Sequence, residues 1–171
     1  GDARAGVRPG SRAPVRLTQP DHRSCGAASL VMAKRSIDPT YAGVVRDQRS
    51  FARETARLHR RITSMVDTAG GLQVPWLRAI GTPPWAVSRE LRLLTGLEYD
   101  VHAAVGRDPW RWISRAREAS PVAVFVGNRV APRHVVLALS VAEESAWTYE
   151  PSIGRVLLVR RPRWHEEPLD L

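Results

Sequence analysis

Residues 121–159 read P-V-A-V-F-V-G-N-R-V-A-P-R-H-V-V-L-A-L-S-V-A-E-E-S-A-W-T-Y-E-P-S-I-G-R-V-L-L-V. Four short apolar runs stand out: Val122–Val126, His134–Val141, Ala146–Tyr149 and Arg155–Val159. They are rich in β-branched residues and separated by Gly, Pro, Asn or the Glu143-Glu144 pair, which is the pattern of strands joined by turns. The stretch is read as an antiparallel meander.

Upstream of Pro121 the spacing is helical instead. Ser24–Arg35 is predicted to be a helix with Ser24 as N-cap and Lys34 and Arg35 at the end that favours cations; Asp38-Pro39 stops it. Tyr41 to about Met65 reads as one long amphipathic helix. Val44, Phe51, Leu58 and Met65 recur every seventh residue, with Val45 and Ile62 beside them. Arg46, Arg53 and Arg60 repeat at the same interval on another face, joined by Arg49 and Arg57. That row reads as a solvated face, and as an acidic-partner site on a sharper reading. Gly70-Gly71 breaks the pattern, and Val74–Ile80 is apolar without a clear period. Thr82-Pro83-Pro84 opens a helix to about Thr95, closed by Gly96. Leu97–Val105 reads as a strand, and Asp108-Pro109 opens a helix to about Ala119. Helices first and a meander after them make an α+β fold, a helical part packed on a C-terminal antiparallel sheet.

Residues 1–16 are rich in Gly, Pro, Ala and Arg without apolar period and read as a tail or linker; residues 17–171 form one domain. With 43% hydrophobic and 25% charged residues, collagen-like, low-complexity and wholly disordered classes are excluded. No apolar run approaches the ~20 residues of a membrane span, and no signal peptide is visible. The chain begins at Gly1 rather than Met, so it is read as a processed product or a piece of a larger precursor. A lone cysteine, Cys25, forbids an intrachain disulfide. That fits a reducing compartment, although secreted proteins can also lack disulfides, so cytoplasmic and secreted bacterial settings both stay open.

The net charge is +9, from 26 basic and 17 acidic residues; only Lys34 is lysine, which points to genome base composition more than to function. Nucleic acid is disfavoured as a partner because aromatics do not interleave with the arginines of 46–61. One cysteine and five scattered histidines give no metal-ligand spacing, no glycine loop cradles a phosphate, and no cofactor is expected. The six tryptophans (76, 85, 110, 112, 147 and 164) read as core packing, with Trp76 and Trp85 in the region a substrate cleft would occupy.

The chemistry concentrates in Gln19–Ser29, Q-P-D-H-R-S-C-G-A-A-S. It places Cys25 at a helix start, where unpaired N–H groups and a partial positive charge favour a thiolate. Gly26 and the alanines after it allow another layer, or a substrate, to approach closely. Gln19, six residues upstream, can place an amide beside the sulfur and form an oxyanion hole with the Cys25 N–H. His134 opens a strand at the sheet edge and is the candidate base. Glu150 ends the next strand, 16 residues on, and a hairpin of that length brings the two together, so Glu150 can fix the imidazole tautomer. Asp21 and His22 read as loop residues shaping the approach, with His22 the reserve base. His59 on the arginine-rich helix, His102 in a strand and His165 in the tail read as structural.

The combination Gln19-x5-Cys25-Gly26-Ala27-Ala28, then His134-Val135-Val136-Leu137, then Tyr149-Glu150-Pro151-Ser152-x-Gly154 resembles the papain-like cysteine peptidases. Within them it is most similar to the bacterial branch that includes the double-glycine leader peptidases of bacteriocin exporters. The resemblance covers about residues 17–160; its middle, 36–105, carries none of it. It implies thiol acyl transfer, with Cys25 as nucleophile, His134 as base, Glu150 as third member and Gln19 in the oxyanion hole. The family usually has Asp or Asn where Glu150 stands. These 171 residues include no ATPase or membrane segment, so the exporter role is not carried over. The resemblance implies a peptidase. The same scaffold also serves glutamine deamidases and transglutaminase-type toxin or effector domains, and a silent triad would leave a peptide-binding module. The implied partners are a protein or peptide substrate and an acidic or immunity protein.

Overall fold

The computed structural model describes residues 15–66, 69–72, 76–77, 81–103, 108–114, 120–127 and 132–161. Its centre is helix α1 (Cys25–Ile37), in which every residue from Cys25 to Ala33 is buried. A helix that is apolar or small all round must be surrounded, and α1 is: Leu30, Val31 and Met32 pack with Phe51, Ile62, Val87 and Leu91 of the helices and with Leu137 and Tyr149 of the sheet. Burying each such aliphatic side chain contributes roughly 1.5–3 kcal/mol.

The region read as one helix from Tyr41 to Met65 is two helices, α2 (Pro39–Val44) and α3 (Gln48–Ile62). The cause is local. Asp47 is extended, its carboxylate accepts the Ser50 N–H at 2.8 Å, and the Ser50 hydroxyl accepts the Asp47 N–H at 3.2 Å, a capping box that starts a new helix. Asp38 caps α2 likewise through the Tyr41 N–H. At the break Val45 is fully buried and Val44 exposed, and α3 ends at Ile62, before the exposed Met65.

Helix α4 (Pro84–Thr95) ends at Gly96, whose φ of 71° supplies the left-handed cap that the sequence anticipates. Leu97–Ala103 is not a strand but an irregular exposed segment, pinned where the Ser88 hydroxyl donates to the Tyr99 carbonyl; residues 104–105 lie outside the described residues. Helix α5 is one turn, Trp110–Ile113, started by Asp108 accepting the Trp110 N–H; the expected continuation through 115–119 lies outside the described residues.

The sheet is the meander read from the sequence: β1 (Val122–Gly127), β2 (Pro132–Val141), β3 (Ser145–Glu150) and β4 (Arg155–Arg160), adjacent in chain order and all antiparallel. Leu137 and Tyr149 join the α1 core. Val136, Ala138, Ala146 and Val159 form a second core with Trp110 and Ile113 of α5. The fold is α+β, helices followed by a four-stranded antiparallel sheet.

Candidate active site

Cys25 is the first residue of α1 and is 4% exposed. Ser24 occupies the N-cap position but does not cap. Its hydroxyl donates back to the Asp21 carbonyl at 3.1 Å, in a turn that Asp21 also closes by accepting the Arg23 N–H. The first-turn N–H groups beside the sulfur therefore have no side-chain cap. Gly26 is required where it stands. A Cβ there would lie 2.6 Å from the Thr82 Cβ, so the loop leading into α4 rests directly on the start of α1.

His134 and Glu150 reach the same point from adjacent strands. Leu137 pairs with Tyr149, and continuing that register sets Val136 opposite Glu150 and His134 on its diagonal, within reach of long side chains. His134 Nε2 lies 2.6 Å from Glu150 Oε1, and the same oxygen accepts the Ser152 N–H at 2.8 Å. Nδ1 is the ring nitrogen that Glu150 leaves open, and the Cys25 thiol acts on the same imidazole. Burial works to lower the His134 pKa, but the bonds to Cys25 and Glu150 outweigh it and push it up to about 9. Burial would raise Glu150, which is 1% exposed, but the hydrogen bonds from His134 and Ser152 hold it below the usual carboxylate range. A buried carboxylate paired in this way is retained as an anion facing an imidazolium.

Gln19 is held at the same end of the sheet. Its N–H donates to the carbonyl of Pro151, the residue after Glu150, at 2.8 Å. The segment before it is clamped on three sides. The Gln48 side-chain amide accepts the Thr18 N–H at 2.8 Å and donates to the Thr18 carbonyl at 2.7 Å. The Tyr149 hydroxyl donates to the Leu17 carbonyl. At Gly154, φ is +64° and a Cβ would fall 2.8 Å from the Thr18 nitrogen, so only glycine admits the Leu17–Thr18 segment. The Gln19 Oε1 atom is buried without a hydrogen-bond partner. The two ends of an amide exchange by a half-turn of the terminal torsion. That unpaired end of the amide is available to an incoming polar group.

The structure thus brings His134 and Glu150 into contact, sets Cys25 where it acts on the imidazole and ties Gln19 to the residue beside Glu150. His22 is exposed, bonded to the Arg23 side chain. His59 is buried rather than on the arginine face, because the helix turns it inward with Thr55 and Ile62. His102 is exposed in an irregular segment and stacks on Trp112. His165 and Trp164 lie outside the described residues. Of the other tryptophans only Trp110 is a core residue; Trp85 and Trp147 are about half exposed, and Trp85 sits edge-on to Trp76 at 5.0 Å. Sequence reading missed Gln48, Tyr149 and Thr82 as supports. Gln48 carried no local signal, since its partner lies 30 residues away. No metal-binding cluster occurs among the described residues, and no helix there is long and apolar enough to cross a membrane. Comparison with protein-family models, with curated proteins and with solved structures gives no match, so the site stands on its own geometry.

Proposed function

We propose that this protein is a papain-like cysteine hydrolase working by thiol acyl transfer. The observation that carries the reading is the shared imidazole: His134 binds Glu150 through Nε2 and also interacts with Cys25 at the head of α1. Three side chains from two strands and a helix, far apart in sequence, converge in the arrangement that nucleophilic catalysis requires.

In this reading the Cys25 sulfur attacks a carbonyl carbon. The resulting oxyanion is held by the Cys25 N–H and the Gln19 amide. The carbon–nitrogen bond then breaks as protonated His134 gives its proton to the leaving amine, leaving a thioester on Cys25. Water attacks the thioester while His134 takes its proton, and the carboxylic acid and free thiol are released. Glu150 keeps the ring oriented and stabilises its charge throughout. The extra methylene of Glu relative to Asp is absorbed because Ser152 fixes the carboxylate from the turn.

Incubation of the protein with candidate polypeptides, read by intact mass, tests this. Peptidase action gives fragments, and deamidation of glutamine adds about 1 Da by the same acyl chemistry. Substrates left unchanged by a protein whose thiol also alkylates no faster than free cysteine would sink the enzymatic reading and leave a peptide-binding module.

A further inference from the structure

Away from the thiol, an open cavity of about 630 Å³ lies among α1, α2, α3 and α4. Its floor is apolar, with Leu30, Leu58 and Leu94, and its walls carry Lys34, Arg57, Arg60 and Arg61 against Glu54 and Glu90. The cations of the lining outnumber its carboxylates four to two. Glu54 accepts the Tyr41 hydroxyl at 3.4 Å and meets Arg57 only at 3.9 Å, while the Arg57 side chain is 76% exposed. The Lys34 ammonium lies 4.4 Å over the Tyr41 ring, at the edge of the same groove.

The groove is continuous with a longer feature. Arg49, Arg53, Arg57 and Arg60 are all exposed on α3. Their spacings of four, four and three residues put them within one face of the helix, a row about 16 Å long at 1.5 Å per residue. Two of its members, Arg57 and Arg60, also line the cavity. A leucine floor bordered by a cationic row matches an amphipathic helix whose apolar side chains enter the groove and whose carboxylates meet the arginines. Nucleic acid fits worse: the floor offers phosphodiesters no partner, and the one aromatic ring in the groove, Tyr41, is already covered by Lys34.

We infer that the α1–α3–α4 groove and the arginine row of α3 are a docking site for an acidic amphipathic helix of a partner protein. Charge complementarity chooses the occupant, since the whole chain carries +9 and the walls of the groove carry four cations to two carboxylates. The site is separate from the thiol. Lys34 is nine residues along α1 from Cys25, about 13 Å down the helix axis, so the inference stands whether or not the thiol is catalytic.

Fluorescence anisotropy with a labelled peptide of about 16 residues, leucines at positions i, i+3, i+4 and i+7 and glutamates at most others, tests it. The peptide is expected to bind, more weakly as salt rises, and R57E/R60E should weaken it at least about tenfold. R155E/R160E makes the same charge change on exposed positions of β4 and should cost less than about threefold. A sequence-scrambled peptide of the same composition should bind about tenfold more weakly. The proposal is overturned if the peptide does not bind, if the scrambled peptide, poly-glutamate or a single-stranded oligonucleotide binds as well, or if the two double variants lose binding equally.

Discussion

His134 Nε2 and Glu150 Oε1 stand 2.6 Å apart across a β-hairpin, from residues 16 positions apart in the chain. The carboxylate is buried and its same oxygen is bonded a second time by the Ser152 N–H, so the imidazole is held from behind by a group that is itself anchored. The imidazole that acts with Cys25 is therefore oriented by Glu150 before any substrate arrives.

The first expected consequence is in thiol reactivity. Cys25 should alkylate with iodoacetamide at pH 6.5 on the order of 10–100-fold faster than free cysteine, which is mostly protonated there. His134→Ala should remove that advantage. Glu150→Gln, nearly the same size, should lower turnover on the order of 10²–10⁴-fold while the protein stays folded. Wild-type protein that alkylates like free cysteine across this range would refute the activated-thiol account.

The same pair fixes a window of stability in pH. His134 titrates near 6.5 when unfolded and at about 9 when folded, so its contribution is complete below pH 6.5, declines above it and is gone past about 9. Glu150 is held below its ordinary 4.5, so its contribution is complete above pH 4.5 and disappears as the pH falls through the lowered folded value. Denaturant unfolding should thus be hardest between pH 4.5 and 6.5 as far as this pair decides it. Raising the pH to 9.5 should cost on the order of 1–3 kcal/mol. The alkaline slope should be shallower in Glu150→Gln; an unchanged slope would assign it to other groups.

Gln48 supports the segment that carries Gln19 without touching the triad. Gln48→Ala removes two hydrogen bonds to Thr18 and should destabilise by about 1–2 kcal/mol. Turnover of an acyl substrate such as a p-nitrophenyl ester should fall about tenfold, with the pH profile of alkylation unchanged, because the oxyanion site loosens while the thiol–imidazole pair does not. Alkylation falling in step with turnover would show Gln48 to be a general structural support.

Two glycines give opposite expectations. Gly154→Ala forces a side chain into a left-handed backbone and onto the Leu17–Thr18 chain, and should cost about 1–3 kcal/mol together with turnover. Gly43→Ala lies in α2 with nothing within 4 Å of the new methyl, and should be neutral or stabilising by up to about 1 kcal/mol. Thermal melts of both variants check the contrast.

The sheet was legible in the residues because its signals are local: β-branched runs, a Glu-Glu turn and Pro or Gly punctuation each act within a few residues of where they stand. Helix α1 was legible for the same reason, as was its end at Asp38. The break between α2 and α3 was not, because the heptad of Val44, Phe51, Leu58 and Met65 favours continuity and only the capping of Asp47 by Ser50 overrides it. Leu97–Ala103 alternates like a strand yet has no neighbouring strand to pair with among the described residues.

By itself, then, the order of residues determined the helices-then-meander layout and the identity of a thiol, an imidazole and a carboxylate at element ends, since those follow from backbone preference and short-range periodicity. Tertiary structure alone decided that the Cys25 helix sits against the His134–Glu150 hairpin, that Thr82 closes on Gly26 and that Gln48 grips Thr18 from 30 residues away. Those contacts depend on how whole elements pack, and packing sums many weak apolar contacts that no short stretch of chain encodes.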